Sequence, residues 1–173
     1  DLVVKRVAQP RVYQMYFNLN KMQDKAVREA IMYGVNKKDI GEKLMKGAVS
    51  AAYSAFPDDS AYGAKNLKPR MFDAAKAKQI LADAGYKDTN GDGIVEKDGK
   101  PLTVQFSVYK RAAIAPIATE MQAQLKQIGI DVQIKNFEKA TFFAPGDFDI
   151  GLYYVVTMPV GDPYDFLYNC LLY

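Results

Sequence analysis

The chain has 173 residues, enough for a sizeable core, with 49% hydrophobic and 25% charged residues, the balance of an ordinary globular protein. Its formal charge is only +3 and its Lys and Arg residues are scattered, which argues against a nucleic-acid partner. It has no histidine and a single cysteine, Cys170, which excludes an internal disulfide, a histidine metal ligand and any nucleophile activated by histidine.

In chain order, residues 2–20 hold two strand candidates rich in Val, Tyr and Phe, of which 13–19 is the stronger. Asp24 is placed to cap a helix with Val27, Ala30, Ile31 and Val35 on its apolar face. Asn36 caps a second, short helix carrying Ile40 and Leu44 and ending near Gly47. Residues 48–69 mix Ser, Ala, Tyr, Pro and Gly and read as a long surface connection. Asp73 opens a third helix through Ala74, Ala77, Ile80, Leu81 and Ala84, stopped by Gly85.

The next stretch, "KDTNGDGIVEKDGKPL", places Asp88, Asn90 and Asp92 at positions one, three and five of an EF-hand-like loop. Position twelve, which needs a bidentate Glu, is Gly99, and Glu96 falls at position nine. The flanks lead into strands, and Asp98-Gly99 is a two-residue hairpin signal. A turn and hairpin without tight calcium binding is therefore expected, with Asp88, Asn90 and Asp92 as weak calcium candidates. Asp and Asn suit such a turn because they hydrogen-bond their own backbone.

Leu102, Val104, Phe106 and Val108 alternate with polar residues, which predicts a half-buried strand. Residues 111–128 form the clearest helix, with Ile114, Ile117, Met121, Leu125 and Ile128 at spacings of three and four, stopped by Gly129. "IDVQIKNF" reads as a strand. "FFAPGDFDIGLYYVV" reads as a Pro-Gly turn feeding a nearly continuous apolar strand suited to the middle of a sheet. Tyr153 and Tyr154 should face opposite sides of it. The alternation of helices and strands predicts an α/β domain, a mixed sheet with helices on both faces. The chain opens at Asp1 without Met and stops inside the apolar run "NCLLY", so it reads as a piece of a longer protein.

Several segments in this order carry a resemblance. "YFNLNKMQDKAVREAIMYGVNKKDI", "NLKPRMFDAAKAKQILADAGY", the acidic loop with its alternating strand, "MQAQLKQIGIDVQI" and "FDIGLYYVVTMPVGDPYDFL" together resemble the C-terminal lobe of the peptide/nickel-binding family, family 5, of extracellular solute-binding proteins of ABC importers. The similarity covers nearly all of residues 12–168. It implies one lobe of a periplasmic-binding-protein-like clamp (type II, cluster C), with residues 1–173 forming a single domain and the first lobe and final segment absent. It further implies a monomeric receptor that captures oligopeptides, dipeptides or a nickel chelate between two lobes. Such a receptor delivers its cargo to ABC permease subunits in the membrane, uses no cofactor, and sits in the periplasm or at the cell surface as an anchored lipoprotein.

The same resemblance brings the turn after the last strand to the ligand cleft, which nominates Thr157, Met158, Val160, Asp162, Tyr164 and Asp165 as ligand-binding residues. Three positions depart from the family pattern. Pro159 stands where peptide-binding members place an Asp that pairs with the ligand's amino group. Val160 and Met158 stand where nickel-type members place an aromatic residue and an Arg. Read without the resemblance, Gly161, Asp162 and Pro163 form a loop that merely closes a strand. Asn18 is a lesser candidate that also reads as a turn residue. Two rival classes remain. One is a calcium-dependent interaction domain built on residues 88–99. The other is a small hydrolytic enzyme using Asp147 and Asp149, a pair that also reads as a turn and strand entry.

Overall fold

The computed structural model describes residues 3, 9–57, 60–63, 67–142 and 148–171. Among them are strand β1 (Arg11–Phe17), helix α1 (Lys25–Gly34), and a short helix α2 (Lys37–Asp39) that runs into a π-helical turn, Ile40–Leu44. Helix α3 (Ala74–Asp83), the short strands β2 (Glu96–Lys97) and β3 (Lys100–Pro101), strand β4 (Thr103–Tyr109) and helix α4 (Ile114–Gln127) follow. Strand β5 (Asp131–Phe137), strand β6 (Ile150–Val156) and helix α5 (Tyr164–Leu171) complete the order. The chain divides into two compact units, one of Met15–Ala51 and Arg70–Tyr153, the other of Asp1–Gln14, Ala52–Pro69 and Tyr154–Tyr173.

The main sheet has the order β1-β6-β4-β5, and β4 pairs in parallel with both β5 and β6. The sequence-expected architecture, a mixed α/β fold, is the one observed. Parallel neighbours need a crossover. Helix α4 supplies it between β4 and β5 and packs on both strands. Ile114, Ile117, Met121, Leu125 and Ile128 are all buried, so the predicted apolar stripe is the packed face. Helix α4 ends in a tight return to β5. Gly129 makes it at φ +90°, and a Cβ there would lie 2.7 Å from Val95 Cγ1.

All three predicted caps are present, that at Asn36 through its side-chain oxygen, which accepts from the Asp39 N–H at 3.1 Å. The Asp24 carboxylate accepts from the Ala26 N–H at 2.9 Å, and Asp73 accepts from Lys76 N–H at 2.8 Å. Helix α1 buries Val27, Ala30 and Ile31 and approaches α4 where it ends. At Gly34 a Cβ would stand 2.6 Å from Ile128 Cδ1, so the absence of a side chain permits the approach. The Asn36 N–H then donates to the buried Gln124 side chain at 2.7 Å. Asp24 also accepts from the Tyr86 hydroxyl at 3.0 Å and from Lys97 Nζ at 3.3 Å, tying α1 to the segment after α3 and to the hairpin. Partial burial works against ionisation of Asp24. The hydrogen bonds from Ala26, Tyr86 and Lys97 outweigh it and hold the carboxyl below its ordinary range.

Three expectations need correction. Leu44 is exposed at 37%, because the segment after Ile40 winds as a π turn and not as a continued α-helix. In a π turn the residue four places on no longer stacks over its predecessor. Strand β4 is not half-buried. Ser107 and Tyr109 are buried along with Val104, Phe106 and Val108, because β4 lies between two neighbours and aromatic rings cover its other face. Tyr109 packs against Phe142 and Tyr153 with ring centroids 5.6 and 5.0 Å apart. Finally, the strongest strand near the start begins at Arg11 and ends at Phe17, and Asn18 and Leu19 lie beyond it.

The other strand candidate near the start falls largely outside the described residues, as do the Pro145-Gly146 turn, Asp147 and the side chain of Cys170. Tyr153 faces Phe142, while Tyr154 packs on Tyr13 at 4.7 Å, as alternation along β6 requires.

Candidate functional site

Strand β6 delivers the chain into the turn nominated from the sequence. Thr157 is the first residue past the strand. Its side chain is fully buried, its N–H donates to the Pro10 carbonyl at 2.8 Å, and its hydroxyl donates to the same oxygen at 3.2 Å. Thr157 therefore anchors the turn. Met158 is half-buried, and the chain then turns outward through Pro159 and Val160, the latter 85% exposed. The Gly161 N–H returns to the Met158 carbonyl at 3.3 Å, closing the turn.

Helix α5 begins at once. The Asp162 carboxylate accepts from the Tyr164 N–H at 2.7 Å, and the Leu167 N–H donates to the Pro163 carbonyl at 2.9 Å. An acidic side chain in this place satisfies an orphan donor and complements the positive end of the helix dipole. Pro163 and Phe166 point inward, and Phe166 meets the Phe56 ring edge-on at 5.6 Å. Tyr164 and Tyr168 point outward and stack with centroids 5.8 Å apart and planes 19° apart. Tyr164 is 66% exposed, and Asp165 is exposed beside it.

Of the six nominated residues, Val160, Asp162, Tyr164 and Asp165 are exposed, Met158 is half-buried and Thr157 is buried. Tyr168, which sequence reasoning did not nominate, extends the aromatic surface. It lies four residues after Tyr164 on the same helix, and that spacing was the available signal.

The other candidates make hydrogen bonds within the fold. Asn18 donates its N–H to the Asp149 carbonyl, while its own carbonyl accepts from Lys21 and Met22 and its side chain accepts from the Asn20 N–H. Asp149 is held on both sides. Its carboxylate accepts from the Gln105 N–H at 2.7 Å, and its own N–H donates to the Gln105 carbonyl at 3.1 Å. Those bonds make Asp149 the entry clamp of β6. In the acidic segment, Asp88 accepts from the N–H groups of Gly91 and Gly93, Asn90 from that of Asp92, and Asp92 from that of Ile94. The hairpin follows as expected, with Asp98 and Gly99 at φ 53° and 72°, the signs of a type I′ turn.

A family model for bacterial extracellular solute-binding proteins, family 5 middle region, matches residues 1–172. The chain belongs to that family. The nickel-binding periplasmic protein of Escherichia coli K12 is 35% identical over 142 residues, 81% of this chain and 27% of its own length. The oligopeptide-binding protein AppA of Bacillus subtilis is 34% identical over 140 residues, 79% of this chain and 26% of its own. Among solved structures, NikA from Brucella suis in complex with Fe(III)-EDTA superposes with a TM-score of 0.80 at 32% identity. That match covers 91% of this chain and 32% of NikA. This family 5 chain thus spans about a quarter of the length of the curated relatives it matches.

Proposed function

We propose that the chain is part of the substrate-binding component of an ABC importer and that the 157–165 turn, with Tyr168, forms one wall of its ligand site. The observation that carries this reading is the exposed Val160, Asp162, Tyr164 and Asp165 surface, placed at the end of a central strand of an open α/β sheet. Ligands of such sheets bind beyond the strand ends. The wall offers an aromatic face and hydroxyl, two carboxylates and a bend made by Gly161 and Pro163. That chemistry suits a small peptide or a metal chelate, oriented by a few polar groups against an apolar surface.

Both ligand classes occur among the relatives. AppA has been solved with a nonapeptide, and the related NikZ from Campylobacter jejuni with Ni(L-His). The reading takes the cargo as an oligopeptide, a dipeptide or a nickel chelate, held between this lobe and a second one. The receptor is monomeric, works in the periplasm or at the cell surface as a lipoprotein, and hands its cargo to a membrane permease. Hinge closure of the two lobes would sequester the ligand.

Native mass spectrometry of the full-length receptor purified from its host tests this reading. The expected result is a bound adduct whose mass resolves into a peptide ladder or a metal chelate. A receptor that carries no adduct and gives no heat with a nickel–histidine chelate or an oligopeptide would overturn the proposal.

A further inference from the structure

The acidic segment between α3 and β4 holds a feature that neither a turn nor a hairpin requires. Asp88, Asp92 and Glu96 each bring one carboxylate oxygen within 4.8 Å of the others. Asp88 and Asp92 are exposed, but Glu96 is only 9% exposed. It is held there by the backbone pairing of Glu96 with Lys87, at 2.8 and 2.9 Å, which folds β2 back over the segment that follows α3. One Glu96 oxygen, Oε2, accepts from the Thr89 N–H at 2.8 Å and from the Thr89 hydroxyl at 3.0 Å. The other, Oε1, is buried with no hydrogen-bond partner among the described residues.

A buried carboxylate oxygen without a partner is costly, and native structures satisfy such groups with a donor, a water or an ion. Here the carboxylate meets two more of the same sign, so a water could fill a hydrogen bond but would leave the repulsion in place. A divalent cation answers both needs. We infer that residues 88–96 form a calcium site, with Asp88, Asp92 and the buried Glu96 as its carboxylate ligands.

The geometry suits calcium. Two oxygens that bind one calcium ion at its usual distances lie at most about 4.6 to 5.2 Å apart, and the three carboxylate oxygens here lie within 4.8 Å of one another. All the ligands are hard oxygens. The Asn90 side-chain oxygen stands at the third position of the loop, and Ile94 at the seventh, where an EF-hand loop contributes its backbone carbonyl. Asp88 spends its hydrogen bonds on Gly91 and Gly93, and Asp92 on Ile94 and the Asn90 amide, yet each ionised oxygen retains a second lone pair. The missing Glu at position twelve is replaced by Glu96 at position nine, brought into the loop by strand pairing and not by a following helix. The ion would tie the end of α3 to the hairpin, a structural role separate from solute binding.

Isothermal titration of Ca²⁺ into the chain, stripped of metal with a chelator, tests the inference. The expected result is one site with a Kd of about 10⁻⁴ to 10⁻³ M, the range of extracellular calcium modules, and a much weaker response to Mg²⁺. At ten times Kd, Ca²⁺ should raise the melting temperature by about 3 to 6 °C. Glu96→Gln and Asp92→Asn should each weaken binding at least about tenfold and remove that rise. Asp92 is exposed, so its variant carries the test if Glu96→Gln does not fold. Absence of saturable heat up to about 10 mM Ca²⁺, equal heats with Mg²⁺, or an unchanged Kd in both variants would overturn the site.

Discussion

The β4–α4–β5 segment and the 157–165 turn differ in what completes them. In the first, almost every side chain on the inner faces finds its partner inside the chain. Leu125 and Phe106 are fully buried, and backbone pairing runs unbroken from Thr103 and Asp131 to Tyr109 and Phe137. In the second, Thr157, Pro163 and Phe166 secure the backbone while Val160, Tyr164 and Asp165 are exposed. A core is chosen by its own residues, and exposed side chains of this composition contribute little to it. The contrast separates two kinds of substitution, those that cost stability and those that leave it nearly unmoved.

The sharpest break in the core should come at Leu125. Leu125→Ala leaves a cavity where α4 meets α1 at Gly34 and should cost roughly 2 to 5 kcal/mol of stability, read as a lower denaturation midpoint with an unchanged slope. Gly129→Ala should follow at about 1 to 3 kcal/mol, because it imposes a positive φ on a side chain and drives a Cβ against Val95. Thermal melting of that variant, compared with Gly129→Asn, would separate the two causes, since Asn tolerates the backbone angle better.

A smaller effect should appear at high pH. Burial, with the neighbouring Asp24 carboxylate, pushes the Tyr86 hydroxyl up to about 12 from an ordinary 10.0. The folded state therefore holds that proton more tightly than the unfolded chain does. Its contribution is complete below pH 10 and is lost as the pH rises through about 12. Stability should decline across this window in the parent chain and decline less in Tyr86→Phe. On the exposed turn, Val160→Ala should leave the melting temperature nearly unmoved, within about 0.5 kcal/mol. A large loss there would show that Val160 packs against the fold and is not a wall residue.

The same contrast explains what could be read from the sequence. The α4 stripe was legible because a 3.6-residue period against a sheet leaves little choice of buried face. The caps at Asp24 and Asp73 and the Asp98-Gly99 turn were legible because their chemistry is local. Leu44 was misread because a π turn changes the angular spacing without any sequence mark. Ser107 misled in another way, since its polarity suggested a solvent face on a strand that aromatic rings cover. Glu96 gave no warning of its burial, which depends on a pairing with Lys87 that closes only in three dimensions. At the turn, the sequence carried Gly161, Asp162 and Pro163 as turn formers, and the structure adds that Thr157 serves as anchor. No pattern within the chain could name a ligand, because the proposed contact has a second side that lies outside the chain.

The central claim, that the 157–165 turn is a wall of the ligand site, is tested most directly by isothermal titration of the full-length receptor with a nickel–histidine chelate and with an oligopeptide. For whichever binds the parent, Tyr164→Ala should weaken affinity by about 1 to 3 kcal/mol with an unchanged melting temperature. Combining it with Asp162→Asn and Asp165→Asn should weaken affinity further. Unchanged affinity in the triple variant would contradict the assignment and place the wall elsewhere in the receptor.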